Sequence, residues 1–217
     1  MSTRGAIGFI VDGVEKVTYN HSDSYPEWLG EKIVKQIQAA DLDKWREQAR
    51  ALTVVDNESK ATAEQQKALA QYADTGVGGG EMGDWYVLLR NTQGDLQEIL
   101  DCGFMIDSKD FPKASLFCEY AYIVNFDTGK LECYRGFQTF RHKRGRYASA
   151  DGIVPYEGAD PYYGCKLVKT FNLVKIPKTW MKVLLAAVER DDNKRFEREK
   201  KRDAKRGKPE AVDNSVW

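Results

Sequence analysis

The spacing of hydrophobic and polar residues changes several times along this chain, and each change marks an element. Gly5-Ala6-Ile7-Gly8-Phe9-Ile10-Val11 and Val14-Glu15-Lys16-Val17-Thr18-Tyr19 are strand-like runs on either side of Asp12-Gly13. Asp-Gly suits a two-residue type I′ loop, which needs positive φ at both centres, so this stretch predicts a hairpin. In that register Val11 faces Val14, Phe9 faces Lys16, Ala6 faces Tyr19, Arg4 faces His21 and Ser2 faces Asp23. Side chains alternate along a strand, so Ser2, Arg4, Tyr19, His21 and Asp23 are expected on one face near the amino end.

Ser24-Tyr25-Pro26 ends the hairpin, and Leu29, Ile33, Val34 and Ile37 then recur at helical spacing to about residue 40. Tyr25, Pro26 and Trp28 read as core and helix-entry residues. Asp41 is placed to cap a second helix through Trp45, Ala49 and Leu52, and Thr62 or Ser59 to cap a third from Ala63 to Tyr72. Gly76-Val77-Gly78-Gly79-Gly80 reads as a hinge. The apolar residues Trp85, Leu88, Leu89, Leu96, Ile99 and Leu100 fit one helical stripe over 84–100, which Gly94 interrupts and Gly103 is placed to stop.

Leu116–Phe126, the turn Asp127-Thr128-Gly129-Lys130 and Leu131–Phe137 predict a second hairpin, whose near-continuous apolar first arm suits a central strand covered on both faces. A further strand is expected over Gly164–Val174. Pro177 then opens a helix through Trp180, Val183, Leu184, Ala187 and Val188. The resulting expectation is an α+β fold with a mainly antiparallel sheet covered by helices, as one domain over 1–190. Residues 191–217 should form a charged tail that extends the last helix before fraying.

Composition narrows the function classes. The 217 residues carry 33 basic and 33 acidic side chains, so no whole-molecule field steers the chain toward a polyanion or a membrane. No apolar run approaches the ~18 residues of a spanning helix, and no secretory signal pattern opens the chain, so a cytoplasmic protein is expected, in host cytoplasm if phage-encoded. Four widely spaced cysteines and two histidines offer no zinc or disulfide pattern, and no Gly-x-x-x-x-Gly-Lys motif cradles a phosphate. No cofactor is expected.

The candidate chemistry sits at the open end of the first hairpin. Removal of Met1 would leave the Ser2 hydroxyl beside a free α-amine, which titrates at about 7.7 to 8.0 and serves as its base. Asp23 would orient the attacking group, Asn20 or Asn125 would donate to the oxyanion, and Arg4, Tyr19 and His21 would hold an anionic or carbonyl-bearing ligand. The opening resembles that of N-terminal-nucleophile amidohydrolases of the cholylglycine hydrolase and penicillin V acylase group. There a nucleophile begins the first strand and Arg-Asn-x-x-Asp ends the second. Ser2, Asn20 and Asp23 take the matching positions here, with Ser2 in place of cysteine and Tyr19 in place of arginine. That resemblance implies an αββα fold and an amide substrate.

The string Arg4-Gly5-Ala6-Ile7-Gly8-Phe9, Asp12-Gly13, Lys16, Tyr19-Asn20-His21, Asp23-Ser24-Tyr25-Pro26 and Leu29-Gly30, with Glu119–Asn125 later, also resembles a family of phage, actinobacterial and fungal proteins to which no activity attaches. It implies a viral or bacterial origin. The alternative to catalysis is then a protein that sequesters a metabolite or nucleotide, or inhibits a host protein. A purely structural reading, in which an Arg4–Asp23 pair ties down the first strand, stands beside both.

Two basic runs bear on binding. Arg141, His142, Lys143, Arg144, Arg146 and Tyr147 form one, with Arg141 and Arg144 as candidate phosphate contacts. Residues 194–206 form the other, but Asp191, Asp192, Glu197, Glu199 and Asp203 dilute it toward a solvated charged helix. The expected partner is a small-molecule ligand or a host protein, ahead of nucleic acid, and not a membrane.

Overall fold

In the computed structural model, which describes residues 3–77 and 80–207, Asp12 and Gly13 both take positive φ, 52° and 76°. They join β1 (Gly5–Val11) to β2 (Val14–Asn20) in the expected register, from Val11 opposite Val14 to Gly5 opposite Asn20. A wide helical turn at Pro26–Gly30 leads into α1 (Glu31–Ala39), α2 (Leu42–Ala51), β3 (Thr53–Val55), α3 (Ala63–Leu69), α4 (Trp85–Leu88) and α5 (Leu96–Cys102). β4 (Phe104–Ile106), β5 (Tyr120–Asn125), β6 (Lys130–Arg135), β7 (Lys166–Asn172) and α6 (Trp180–Lys205) complete the chain.

The fold is α+β. Its main sheet has the order β2-β1-β5-β6-β7; β1 and β5 run parallel and every other pair antiparallel. The register sets two rows across it. Asn20, Gly5, Tyr120, Arg135 and Lys166 line one end, while Ile10, Asn125, Lys130 and Asn172 line the other. β3 and β4 pair parallel in a separate two-stranded sheet, too short to leave a periodic signal in the sequence.

One sheet face packs Ile7, Phe9, Tyr122, Val124 and Leu131 against Ile33 and Ile37 of α1, Trp45 of α2, Ile99 of α5 and Leu184 of α6. The opposite face packs Ala6, Ile10, Val17, Ala121, Ile123 and Tyr134 against Cys118, Tyr147 and Cys165, which stand in connecting segments. Loops, not a second sheet, cover that face, so the αββα sandwich implied by the amidohydrolase resemblance is not formed among the described residues. All four cysteines are buried and free.

Several expectations are corrected. The single helix over 84–100 is broken into α4 and α5, because Gly94 takes φ +70° and Asp95 restarts the chain by accepting from the Glu98 amide. Gly103 stops α5 in the left-handed conformation, as its position predicts. The strand expected from residue 116 begins at Tyr120, after a turn in which the Phe117 and Cys118 amides donate to the Ala114 carbonyl. Pro26 is buried, but Trp28 is 69% exposed and Tyr25 is also exposed, so neither is core.

The boundary expected at residue 190 falls inside α6. Its buried stripe runs Trp180, Leu184, Val188, Asp191, Arg195, so the spacing that packs apolar groups on the sheet continues with charged ones. No described helix is long and apolar enough to cross a membrane.

Candidate functional site

At the amino-terminal end of the first hairpin the expected cluster is only partly assembled. The β1–β2 ladder stops at Gly5–Asn20, and the Ser24 amide, not residue 22, donates to the Thr3 carbonyl at 3.1 Å. The two extra residues are accommodated by Asp23 in left-handed backbone, φ 53°. Asp23 is exposed, and the extrapolated pair Arg4–His21 is not a ladder pair. Ser2 lies outside the described residues. Tyr19 does meet His21, with its hydroxyl 3.1 Å from Nδ1, while the Arg4 guanidinium lies 5.3 Å from the Phe117 ring. Burial raises the Tyr19 pKa above the ordinary value, opposed by the charges of Arg4 and Arg90.

Neither asparagine is poised as an oxyanion donor. Asn20 is buried, and its amide donates to the Ser22 carbonyl and, at 2.8 Å, to Ser24 Oγ, closing the 20–24 loop. Asn125 stands at the opposite end of the sheet, about 17 Å of strand away from Tyr120. Its Nδ2 donates to Glu132 at 2.7 Å and its Oδ1 accepts from the Asp127 and Thr128 amides, both at 3.0 Å. It therefore builds the second hairpin's turn.

The loop after β6 brings the basic run of 141–147 onto the sheet. Arg146 is not available to a ligand: its Nη2 lies 3.1 Å from each Glu132 oxygen, and Tyr134 also donates to that carboxylate. Arg141 lies 4.9 Å from the Tyr163 ring and 3.5 Å from the Asp151 carboxylate. The Arg144 side chain is exposed, while its amide donates to His142 Nδ1 at 3.3 Å. His142 Nε2 donates to the Gly164 carbonyl at 2.9 Å. With both ring nitrogens engaged, the neutral tautomer is held, and burial lowers the His142 pKa. It is not placed to act as a general base.

The two basic runs, 160 and more Å apart in an extended chain, meet in the fold. The C-terminal half of α6 lies along Gln138–His142, with the Arg198 guanidinium 4.0 Å and that of Arg202 5.1 Å from the Phe140 ring. Between them is a cleft of about 390 Å³, lined by Gln138, Phe140, His142, Lys166, Asp191 and Arg198 among others. A second cavity of about 420 Å³ continues past the shared Phe140 and Arg198 and is lined otherwise by Lys201, Arg202, Lys205 and Arg206. Because Lys166 ends its row, the cleft opens at the same sheet end as Arg4, about 14 Å across the strands.

No family model, curated protein or solved structure matches this chain. What it does is read from its own geometry.

Four of the five acids that dilute the second basic run are held by partners within the fold. Asp191 pairs with Lys166 and accepts from Gln138 at 3.0 Å; Asp192 pairs with Arg135 and Arg195, each at 3.1 Å. Glu199 accepts from Thr139 and lies 3.9 Å from Arg195, and Asp203 pairs with Arg202 at 3.2 Å. Glu197 alone of the five is exposed with no such partner among the described residues, and it lines the first cavity. Lys194, Lys201 and Lys205 are exposed, with no acidic partner among the described residues. With nine basic and six acidic residues in α6, and most of the acids near its second half paired, the helix presents cations outward.

Lys166, Phe140 and Gln138 escape a reading of motifs, because each looks like an ordinary strand or loop residue. One signal was available: Asp191 and Arg195 continue the 180-184-188 stripe at helical spacing, which points them at the sheet.

Proposed function

We propose that this protein binds a phosphate-bearing ligand in the cleft between α6 and the Gln138–His142 segment, without catalysing a reaction on it. The observation that supports this reading is the sorting of charge on α6: four of five nearby carboxylates are held by intramolecular partners, leaving Lys194, Arg198, Lys201 and Lys205, against the one exposed acid Glu197, around an aromatic floor. Cations grouped on a concave surface attract multiply charged oxyanions, and the attraction is screened by salt. Among the described residues no nucleophile paired with an available base lines the cleft, which favours sequestration over turnover. Calorimetric titration with tripolyphosphate tests the reading. Binding is expected at about 50 mM salt, weakened at about 500 mM and weakened by Arg198→Gln. No heat of binding at low salt, or unchanged affinity in the variant, would overturn it.

A second reading places amide hydrolysis at the amino end, with Ser2 attacking, its α-amine as base and Asp23 orienting. The contact between Tyr19 and His21, with Arg4 nearby, favours it as a ligand-gripping group. Its oxyanion donors would have to be other than Asn20 and Asn125. Retention of Met1 by intact mass, or equal turnover of Ser2→Ala on an amide-substrate panel, rejects it.

A further inference from the structure

Lys194, Arg198, Lys201 and Lys205 are separated by steps of four, three and four residues, so at about 100° per residue they stay within an arc of roughly 60° on α6. The stripe is about 16 Å long. A mononucleotide gathers its charge at one end and engages a fraction of such a row. A polymer with a phosphate at each unit engages all of it. We propose that the occupant of this face is a single-stranded nucleic acid whose backbone follows the α6 stripe; the inference rests on the phosphate-binding reading and adds that the ligand is a polymer.

Two further features favour a single strand over other polyanions. The cations border a groove formed by two cavities that share Phe140 and Arg198, whereas a membrane surface is met by a flat or convex face with apolar groups to insert. An exposed aromatic residue also belongs to the turn that the end of α6 holds. Tyr156, 72% exposed, belongs to a turn in which the Ala159 amide donates to its carbonyl at 3.0 Å. The next residue, Asp160, is bound by Arg202 at 2.9 Å and Arg206 at 2.6 Å, which ties that turn to α6. An exposed phenol on a turn tied to a cationic row offers a ring on which an unpaired base can stack while the phosphates are neutralised.

Fluorescence anisotropy of the full chain with labelled dT16 and rU16 tests this. Four phosphate contacts give a slope of log K against log salt near −2.8, or about a 50-fold loss of affinity between about 50 and 200 mM. The variant Lys194→Gln/Lys201→Gln/Lys205→Gln is expected to reduce that loss to about threefold with unchanged thermal melting, since all three side chains are exposed. Tyr156→Ala is expected to weaken binding about 5- to 150-fold at fixed salt. An unchanged slope in the triple variant overturns the proposal, as does tighter binding of a 16-mer duplex or of phosphatidylserine vesicles than of either oligomer. If dT16 binds no better than thymidine monophosphate while tripolyphosphate still binds, the polymer claim falls alone. If none of them binds, both readings fall.

Discussion

Lys16 closes the carboxyl end of α2: its Nζ lies 2.7 Å from the Leu52 carbonyl oxygen and 2.9 Å from those of Ala49 and Arg50. All three ammonium donors are spent on carbonyls that the helix leaves without intrahelical partners, and the positive charge meets the negative end of the helix dipole. Burial lowers the Lys16 pKa, yet with its donors engaged this is a structural lysine rather than a nucleophile. Lys16→Met is expected to cost about 1.5–3 kcal/mol in urea denaturation, because it leaves those carbonyls underpaired. Lys44→Met, on the exposed side of the same helix, should change stability by less than about 0.5 kcal/mol.

Asn125 gives a test that separates structure from catalysis. It accepts two turn amides and donates to the buried Glu132, so Asn125→Ala is expected to destabilise the protein by about 1–3 kcal/mol. Its distance from the α6 cleft predicts unchanged tripolyphosphate affinity at a temperature where the variant is folded. An amide-hydrolysing activity lost in this variant without loss of stability would restore it as an oxyanion donor.

Local signals were legible where a single residue dictates backbone geometry or a cap. Asp12-Gly13 sets the hairpin, the Asp41 carboxylate caps α2, and Thr62 and Gln65 form a reciprocal cap at α3. What failed were readings that depend on partners distant in sequence. The 84–100 stripe has helical spacing on both sides of Gly94, but a Cβ there would lie 2.8 Å from Asn20 Oδ1, so the chain bends where it packs on the first hairpin. The charged segment after residue 190 reads as a solvated helix because composition carries no direction. Only Arg135, Gln138 and Lys166, which come from the sheet side, reveal that Asp191 and Asp192 face inward. The Arg4–His21 pairing failed for a similar reason: register extrapolates only as far as the ladder, and Asp23 turns the chain out of it.

Trp28 shows how an aromatic residue can be misassigned by its neighbours. Beside buried Pro26 and Leu29 it resembles a core residue, but its side chain is largely in solvent. Trp28→Ala is therefore expected to change unfolding free energy by less than about 0.5 kcal/mol, whereas Trp45→Ala, which empties a buried site, should cost about 3–5 kcal/mol. Iodide quenching of tryptophan fluorescence, compared before and after removal of Trp28, checks its accessibility directly.

His142 predicts a pH dependence confined to the acid side of neutrality. Burial holds its pKa below the ordinary 6.5, assisted by the charge of Lys166 and opposed by the Gly164 carbonyl and the charge of Asp191. The unfolded imidazole therefore binds a proton more readily than the folded one, and stability rises with pH between the two values. The contribution is complete above about 6.5 and is lost as pH falls through the folded value, where protonation of Nδ1 removes the acceptor for the Arg144 amide. His142→Gln does not titrate and keeps a donor for the Gly164 carbonyl. Thermal melts from about pH 7.5 to 5 should show wild type ahead of this variant by about 0.5–1.5 kcal/mol at the upper end, with the gap closing toward the lower. A gap that stays constant across that range would mean that His142 contributes packing alone and that its protonation is not linked to how the Gln138–His142 segment sits against β7 and α6.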